Sequence, residues 1–176
     1  MPYTIDPAHS SFEFSVKHMV IASTKGRFAT FDATANIDDA NLPQSSATIS
    51  IDAASIDTRD ATRDNHLRSA DFFDVEKFPR ITFQSKTVEA KGKGKGDYRI
   101  VGDLNIHGVS KEVALDAEVS GPVKDPWGNT RMGVSAQTKI NRKDWGLNWN
   151  SVLEAGGLLV GDDVRLTAEL EFVKSA

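Results

Sequence analysis

Through most of the chain apolar and polar residues alternate with a period of two, and this constrains the fold more than any other feature. Phe12, Phe14 and Val16 are interleaved with Ser11, Glu13, Ser15 and Lys17; Phe31, Ala33, Ala35 and Ile37 with Asp32, Thr34 and Asn36. The pattern returns at Ala47, Ile49 and Ile51, at Ile81 and Phe83, and at Tyr98, Ile100, Gly102, Leu104 and Ile106. Val113 to Val119, Met132 to Ile140 and Val164 to Phe172 complete it. Successive side chains of a strand point to opposite faces, so each run predicts a strand with one buried and one wet side. Eight one-sided strands need a cover, and a sheet that closes on itself supplies it while removing exposed edges. Turn-forming residues separate the runs: AKGKGKGD, DPWG at 125–128 as a type I turn, VSGP and VGDD. The expectation is an all-β chain, 1–176 forming a single eight-stranded antiparallel barrel. The spacing of Phe28 and Phe31 predicts a bulge between them, which would flip side-chain parity beyond it.

The alternation stops between Asp57 and Asp74, a stretch that includes RDNHLRSADFFD. Thr58 is a candidate helix cap with Asp60 in the first turn, Leu67 and Ala70 share a face, and Asp64 and Arg68 have the spacing of a helical ion pair. Ser69 is placed to cap a second turn leading into Phe72 and Phe73. This predicts a helical insert around 57–74, as two short helices between the third and fourth strands. A second irregular stretch, NRKDWGLNWNSVLEAGG, precedes the last strand.

Bulk properties remove several function classes. Net charge is −4 with both signs interspersed, which argues against nucleic acid as a partner and offers no basic patch for anionic lipid. Lys91, Lys93 and Lys95 alternate with glycine and read as a solvated turn. The absence of cysteine excludes disulfides and thiolate chemistry. MPYTIDPAHSSF lacks the basic and apolar regions of a signal peptide, so a cytoplasmic location is expected.

The titratable residues do not form a recognisable catalytic motif. His9, His18, His66 and His107 show no metal-ligand spacing, there is no GxSxG elbow, and GKGKGD is no phosphate loop. A tertiary metal site from His9, His18, His66 and Asp71 is a minor alternative. Asp-rich patches at 38–39, 71–74 and 162–163 read as turn residues. Arg63, His66 and Arg68 admit two readings, a polar rim for a ligand headgroup or ties between the insert and its neighbours, and the density of mixed charge favours ties. Trp127, Trp145 and Trp149 lie in turns or loops, as a rim or as caps, and Met19, Val20 and Ile21 form an apolar loop.

Six blocks carry a resemblance: DPAHSSFEFSVKHM, RDNHLRSADFFD, FPRITFQS, GDLNIHGVSKEVAL, DPWGNTRMG and INRKDWGLNWN. In order and spacing they resemble the YceI-like family across essentially the whole chain. The resemblance implies a lipocalin-like barrel that binds a polyisoprenoid, such as an isoprenoid quinone or precursor, in its interior, with no cofactor, no metal and no chemistry of its own. Many family members are periplasmic, which this N-terminus does not match.

The residues leave open whether the barrel is hollow, because an eight-stranded barrel is just wide enough to be filled or to hold one small ligand. Ala33, Ala35, Ala117, Ala136 and Ala168 at inward positions leave room. A strand of about ten residues spans roughly 33 Å, enough to sheath a prenyl tail. Strand parity selects Phe14, Val16, Phe31, Ile49, Ile51, Phe83, Leu104, Ile106, Leu115, Met132 and Val134 as the lining. The expected partner is an isoprenoid lipid, with at most transient membrane contact, and a homodimer is left open. Two alternatives stand beside it: a metal-assisted hydrolase using His and Asp residues at the mouth, and a filled barrel acting as an interaction module.

Overall fold

In a computed structural model, described for residues 1–92, 96–151, 153 and 159–175, the alternating runs become strands of one antiparallel sheet. They are β1 (Pro2–Ile5), β2 (Ser11–His18), β3 (Ala22–Phe28), β4 (Phe31–Asn36), β5 (Ser46–Asp52), β6 (Ile56–Asp57), β7 (Arg80–Ala90), β8 (Asp97–Ile106), β9 (Val109–Lys124), β10 (Thr130–Asn141) and β11 (Val160–Lys174), with one α-helix, α1 (Ala61–Arg68). These eleven segments make eight staves. β1 and β2 lie end to end along β11, Tyr3–Ile5 against Phe172–Lys174 and Ser11–Val16 against Val164–Glu169. β4 pairs with β1 and β3 with β2; β5 pairs with β4 and β6 with β3. From there β7, β8, β9, β10 and β11 follow as a meander, and the β1–β11 pairing closes the ring.

Each broken stave has a local cause. Between β1 and β2 the Asp6 side chain accepts from the Ala8 amide and starts a 3-10 turn over Pro7–His9. Between β3 and β4 the Ala29 and Thr30 amides leave the ladder for the Ser55 carbonyl and hydroxyl. The predicted bulge is therefore a full break. Asp52 caps the 3-10 turn Ala53–Ser55 that separates β5 from β6. The closing strand β1 was not among the expected runs, because four residues beginning with proline are too short to display a period. VSGP does not end a strand as expected: Gly121 and Pro122 lie within β9, opposite a register shift between Arg131 and Gly133.

Only one helix forms in the insert. Asp60, not Thr58, caps α1 by accepting from the Arg63 amide. Beyond Ser69 the chain makes hydrogen-bonded turns, with the Phe72 amide on the Ser69 carbonyl and the Val75 amide on the Arg68 carbonyl. In DPWG the Asp125 side chain accepts from the Trp127 and Asn129 amides, and Asp125 O accepts from Gly128 N. Lys93 and Lys95 of the glycine-rich turn lie outside the described residues; Gly92 and Gly96 flank it at φ 68° and 92°.

The meander sorts the connections to two ends. The β2–β3 turn, the α1 segment, His107–Gly108 and the stretch after β10 share one end. Met1, Ser175, the turns at 37–45 and 125–129 and the facing strand ends Ala90 and Asp97 share the other. That second end is filled: Tyr3 and Met132 are each 1% exposed and Phe172 2%. Tyr3 stands opposite Ala35 in register, so a small residue there makes room for a ring rather than for a ligand.

Outside, charged residues take the wet positions. Arg131 holds three carboxylates, donating from Nε to Asp125 (2.8 Å) and from one terminal nitrogen to Asp6 (2.8 Å) and Glu171 (2.7 Å). These hydrogen bonds hold the carboxyls of Asp6 and Asp125 down to about 2 each. Among the described residues no helix is long and apolar enough to cross a membrane.

Candidate ligand-binding cavity

A cavity of about 310 Å³ occupies the barrel toward the α1 end. Its lining runs along β11 from Val160 to Ala168, roughly 26 Å of strand at about 3.3 Å per residue. Two glycines shape the wall. A Cβ on Gly26 would stand 2.3 Å from the Phe14 ring, and one on Gly102 2.6 Å from the Phe83 ring. Both rings can therefore lie flat across a neighbouring strand. Three alanines align across the wall: Ala117 pairs with Ala136, and Ala136 with Ala168. Ala136 and Ala168 line the cavity, so this row of small side chains opens space that larger residues would fill.

Of the eleven parity-selected residues, eight line the cavity: Phe14, Val16, Ile49, Ile51, Phe83, Leu104, Ile106 and Leu115. Phe31, Met132 and Val134 do not. Phe31 packs edge-on against Phe12 at 4.8 Å, and Met132 and Val134 sit across from Phe172 and Leu170 toward the filled end. Parity fixes the side of a strand and not the depth along it. Ala33 and Ala35 are buried away from the cavity for the same reason. Parity reasoning also left out Phe12, Ile81, Val113, Ile140, Val164 and Leu166, which belong to the same alternating runs, and Phe28 of β3, which belongs to none of them. Leu67, Phe72, Phe73, Leu147 and Trp149 were missed as lining because they enter from the irregular stretches, where no period marks a direction.

Polar groups gather at the mouth. Arg63 donates from Nε to the Thr58 hydroxyl (2.8 Å) and from a terminal nitrogen to the Thr58 carbonyl (2.7 Å). Thr58 in turn donates its backbone and side-chain hydrogens to the buried Asp64. Asp64 thus faces Thr58 rather than the expected Arg68. His66 lines the cavity, its ring edge-on to Trp149 (4.6 Å) and Phe72 (5.2 Å), with Nε2 2.8 Å from Asp71 Oδ2. Arg68 is not at the mouth. It donates to the Ala54 and Ile56 carbonyls and to Asn65, tying α1 to the β5–β6 stave. Of the two readings, the tie holds for Arg68, while Arg63 and His66 line the cavity and Arg63 also ties to Thr58.

Arg142 is a feature that sequence reasoning missed. It is 4% exposed and donates to the carbonyls of Leu147, Trp149, Val160 and Gly161. Burial lowers its affinity for a proton, and the nearby Asp162 carboxylate opposes that only in part. It holds Trp149 and the start of β11 at the mouth. Trp145 is a cap, buried with its indole N–H on the Leu104 carbonyl (2.9 Å). Trp127 is 81% exposed at the opposite end.

The histidines do not converge on one metal site. His9 and His18 are nine residues apart along one stave, about 30 Å if extended. Among the described residues, the only group of three or more clustered metal-ligating side chains is Asp6, His9 and Glu171. It holds one histidine, and the Arg131 guanidinium already occupies both carboxylates.

The YceI-like domain family matches residues 3–172. This chain belongs to the YceI-like family. It is 39% identical over 171 residues to the UPF0312 protein SA2479 of Staphylococcus aureus (strain N315), covering 97% of this chain and 96% of that one. Among solved structures, the Campylobacter jejuni YceI protein superposes with a TM-score of 0.78 at 34% identity, covering 91% and 90% of the two chains. Burkholderia cenocepacia BcnA gives 0.82 at 25% identity, with 95% and 98% covered. A polyisoprenoid binding domain from Saccharophagus degradans shares the fold, with a TM-score of 0.73 at 19% identity and 98% of each chain covered. The closed eight-stranded barrel with one short helix is thus the YceI-like architecture.

Proposed function

We propose that the cavity binds the hydrophobic tail of an isoprenoid-type lipid, a polyisoprenoid or an isoprenoid quinone or its precursor, and that the protein carries, stores or sequesters this lipid without acting on it chemically. The observation that carries the reading is a deep, narrow cavity walled by Phe, Ile, Leu, Val and Ala, with its cationic groups gathered at one end. Such a wall offers hydrophobic burial at about 25 cal/mol per Å² and few hydrogen bonds, which suits a long apolar tail. The polyisoprenoid binding named for the Saccharophagus degradans domain, which has the same fold, supports the choice of lipid class. Arg63 and His66 are placed to meet an oxygen-bearing headgroup.

The test is binding of a prenyl quinone followed by quenching of tryptophan fluorescence, since Trp149 lines the cavity. Ala136→Phe and Ala168→Phe each project a ring into the space left by the alanine row. Each is expected to weaken binding at least tenfold while the barrel stays folded by circular dichroism. Unchanged affinity in both variants would remove the cavity from the account.

A further inference from the structure

The turn joining β2 to β3 presents Met19, Val20 and Ile21, which are 44%, 66% and 85% exposed. Met19 and Val20 have φ of 54° and 66°, the left-handed region that glycine or asparagine adopts at lower cost and a β-branched residue rarely does. Three consecutive apolar side chains are thus held out into solvent, two of them on a backbone that does not favour them. Charge interspersed along the whole chain offered no basic patch, but from Ser15 to Arg27 the hairpin carries Lys17, His18, Lys25 and Arg27 and no acidic residue, in a chain whose net charge is −4. Arg27 is paired with Asp57. The acids of the adjoining strand are engaged elsewhere, Asp162 by Arg142 and Lys143 and Asp163 by Lys139. Among the described residues neither Lys17 nor Lys25 is in an ion pair, and both are exposed. The turn also belongs to the mouth: the Met19 amide donates to the Leu159 carbonyl, and Leu159 and His18 both line the cavity.

We propose that this hairpin docks the barrel's mouth on an anionic lipid bilayer, with Met19, Val20 and Ile21 inserted among the acyl chains and Lys17 and Lys25 at the headgroups. Apolar residues flanked by lysine match the two layers of such a surface, hydrocarbon below and negative charge above. The α1 side of the mouth carries Asp71 and Asp74 beside its own cations, so contact is made by the hairpin side. The proposal rests on the lipid reading of the cavity: docking there would let a prenyl tail pass from membrane to barrel with little exposure to water.

The test is co-sedimentation of the full chain with vesicles of phosphatidylcholine alone and with about one-third phosphatidylglycerol. Prenyl-quinone binding in dilute solution and size-exclusion light scattering are measured alongside. The double variant Val20→Asn with Ile21→Asp keeps residue 20 compatible with its backbone and adds a charge, and Lys25→Glu reverses one cation. Wild type is expected to sediment with the anionic vesicles and to lose this in high salt. The double variant should sediment at least tenfold less and Lys25→Glu several-fold less, both retaining prenyl-quinone binding. Wild type that binds prenyl quinone but not anionic vesicles would overturn docking and leave the cavity reading standing. So would a double variant that sediments like wild type, or one whose only change is loss of a dimer. Failure to bind either vesicles or prenyl quinone would overturn both.

Discussion

Single residues decide whether this barrel has an interior. A Cβ on Gly26 would also come within 2.8 Å of Thr58 Cγ2, so any larger residue must displace the Phe14 ring or the α1 segment. Gly26→Val is expected to destabilise the fold by about 1–3 kcal/mol, the usual range for overpacking. It should also weaken ligand binding by pushing Phe14 into the cavity; urea unfolding and prenyl-quinone titration measure the two effects. On the outer wall, Arg131 governs behaviour in acid. The carboxyls of Asp6 and Asp125 titrate near 2 in the fold and near 3.8 when free, so their stabilisation is present above about 4 and lost as pH falls through about 2. Arg131→Met is expected to lower stability at neutral pH and to flatten its pH dependence between about 4 and 2, as read by denaturant unfolding across that range. At this scale the sequence showed which side of each strand faces inward. It did not show depth, which is why Met132 and Val134 fell toward the filled end although their parity was right, nor that Phe12 would stand between Phe31 and the cavity.

Elements are held by contacts whose acceptors leave no trace in sequence. Arg68 was legible as a tie but not its partners, and Arg142 not at all, because both end on backbone carbonyls and any residue type can supply those. Arg68→Ala strips partners from the Ala54 and Ile56 carbonyls. It is expected to cost about 2 kcal/mol, since bonds from a charged donor contribute more than neutral ones. Prenyl-quinone affinity of the folded protein should persist; loss of binding at unchanged stability would return Arg68 to the mouth. Asp60→Ala removes the helix cap and is expected to cost about 1 kcal/mol, measured by thermal or urea unfolding. The insert itself was legible as a break in the alternation. Its division into one helix and a run of turns was not, because Ser69 can begin a helix or end one. β1 was invisible for want of length, although it is the strand that closes the ring.

On the scale of the whole molecule, a barrel with charged residues outside and a cavity of hydrophobic side chains inside reverses the arrangement of an outer-membrane barrel. The eight-stranded closure follows from the repeated one-sided runs. The hollow does not, because it depends on register: Ala136 and Ala168 open space together only because they stand side by side on neighbouring strands. The barrel is hollow at the α1 end and filled at the opposite end, where Tyr3 takes the room beside Ala35. The proposed prenyl tail in the hollow is tested by native mass spectrometry of the full chain purified without detergent, with organic extraction and addition of prenyl quinone. One hydrophobic adduct per chain is expected, extractable into organic solvent or formed on addition, and lost in Ala168→Phe. Unliganded protein that takes up no added prenyl quinone would contradict the proposal.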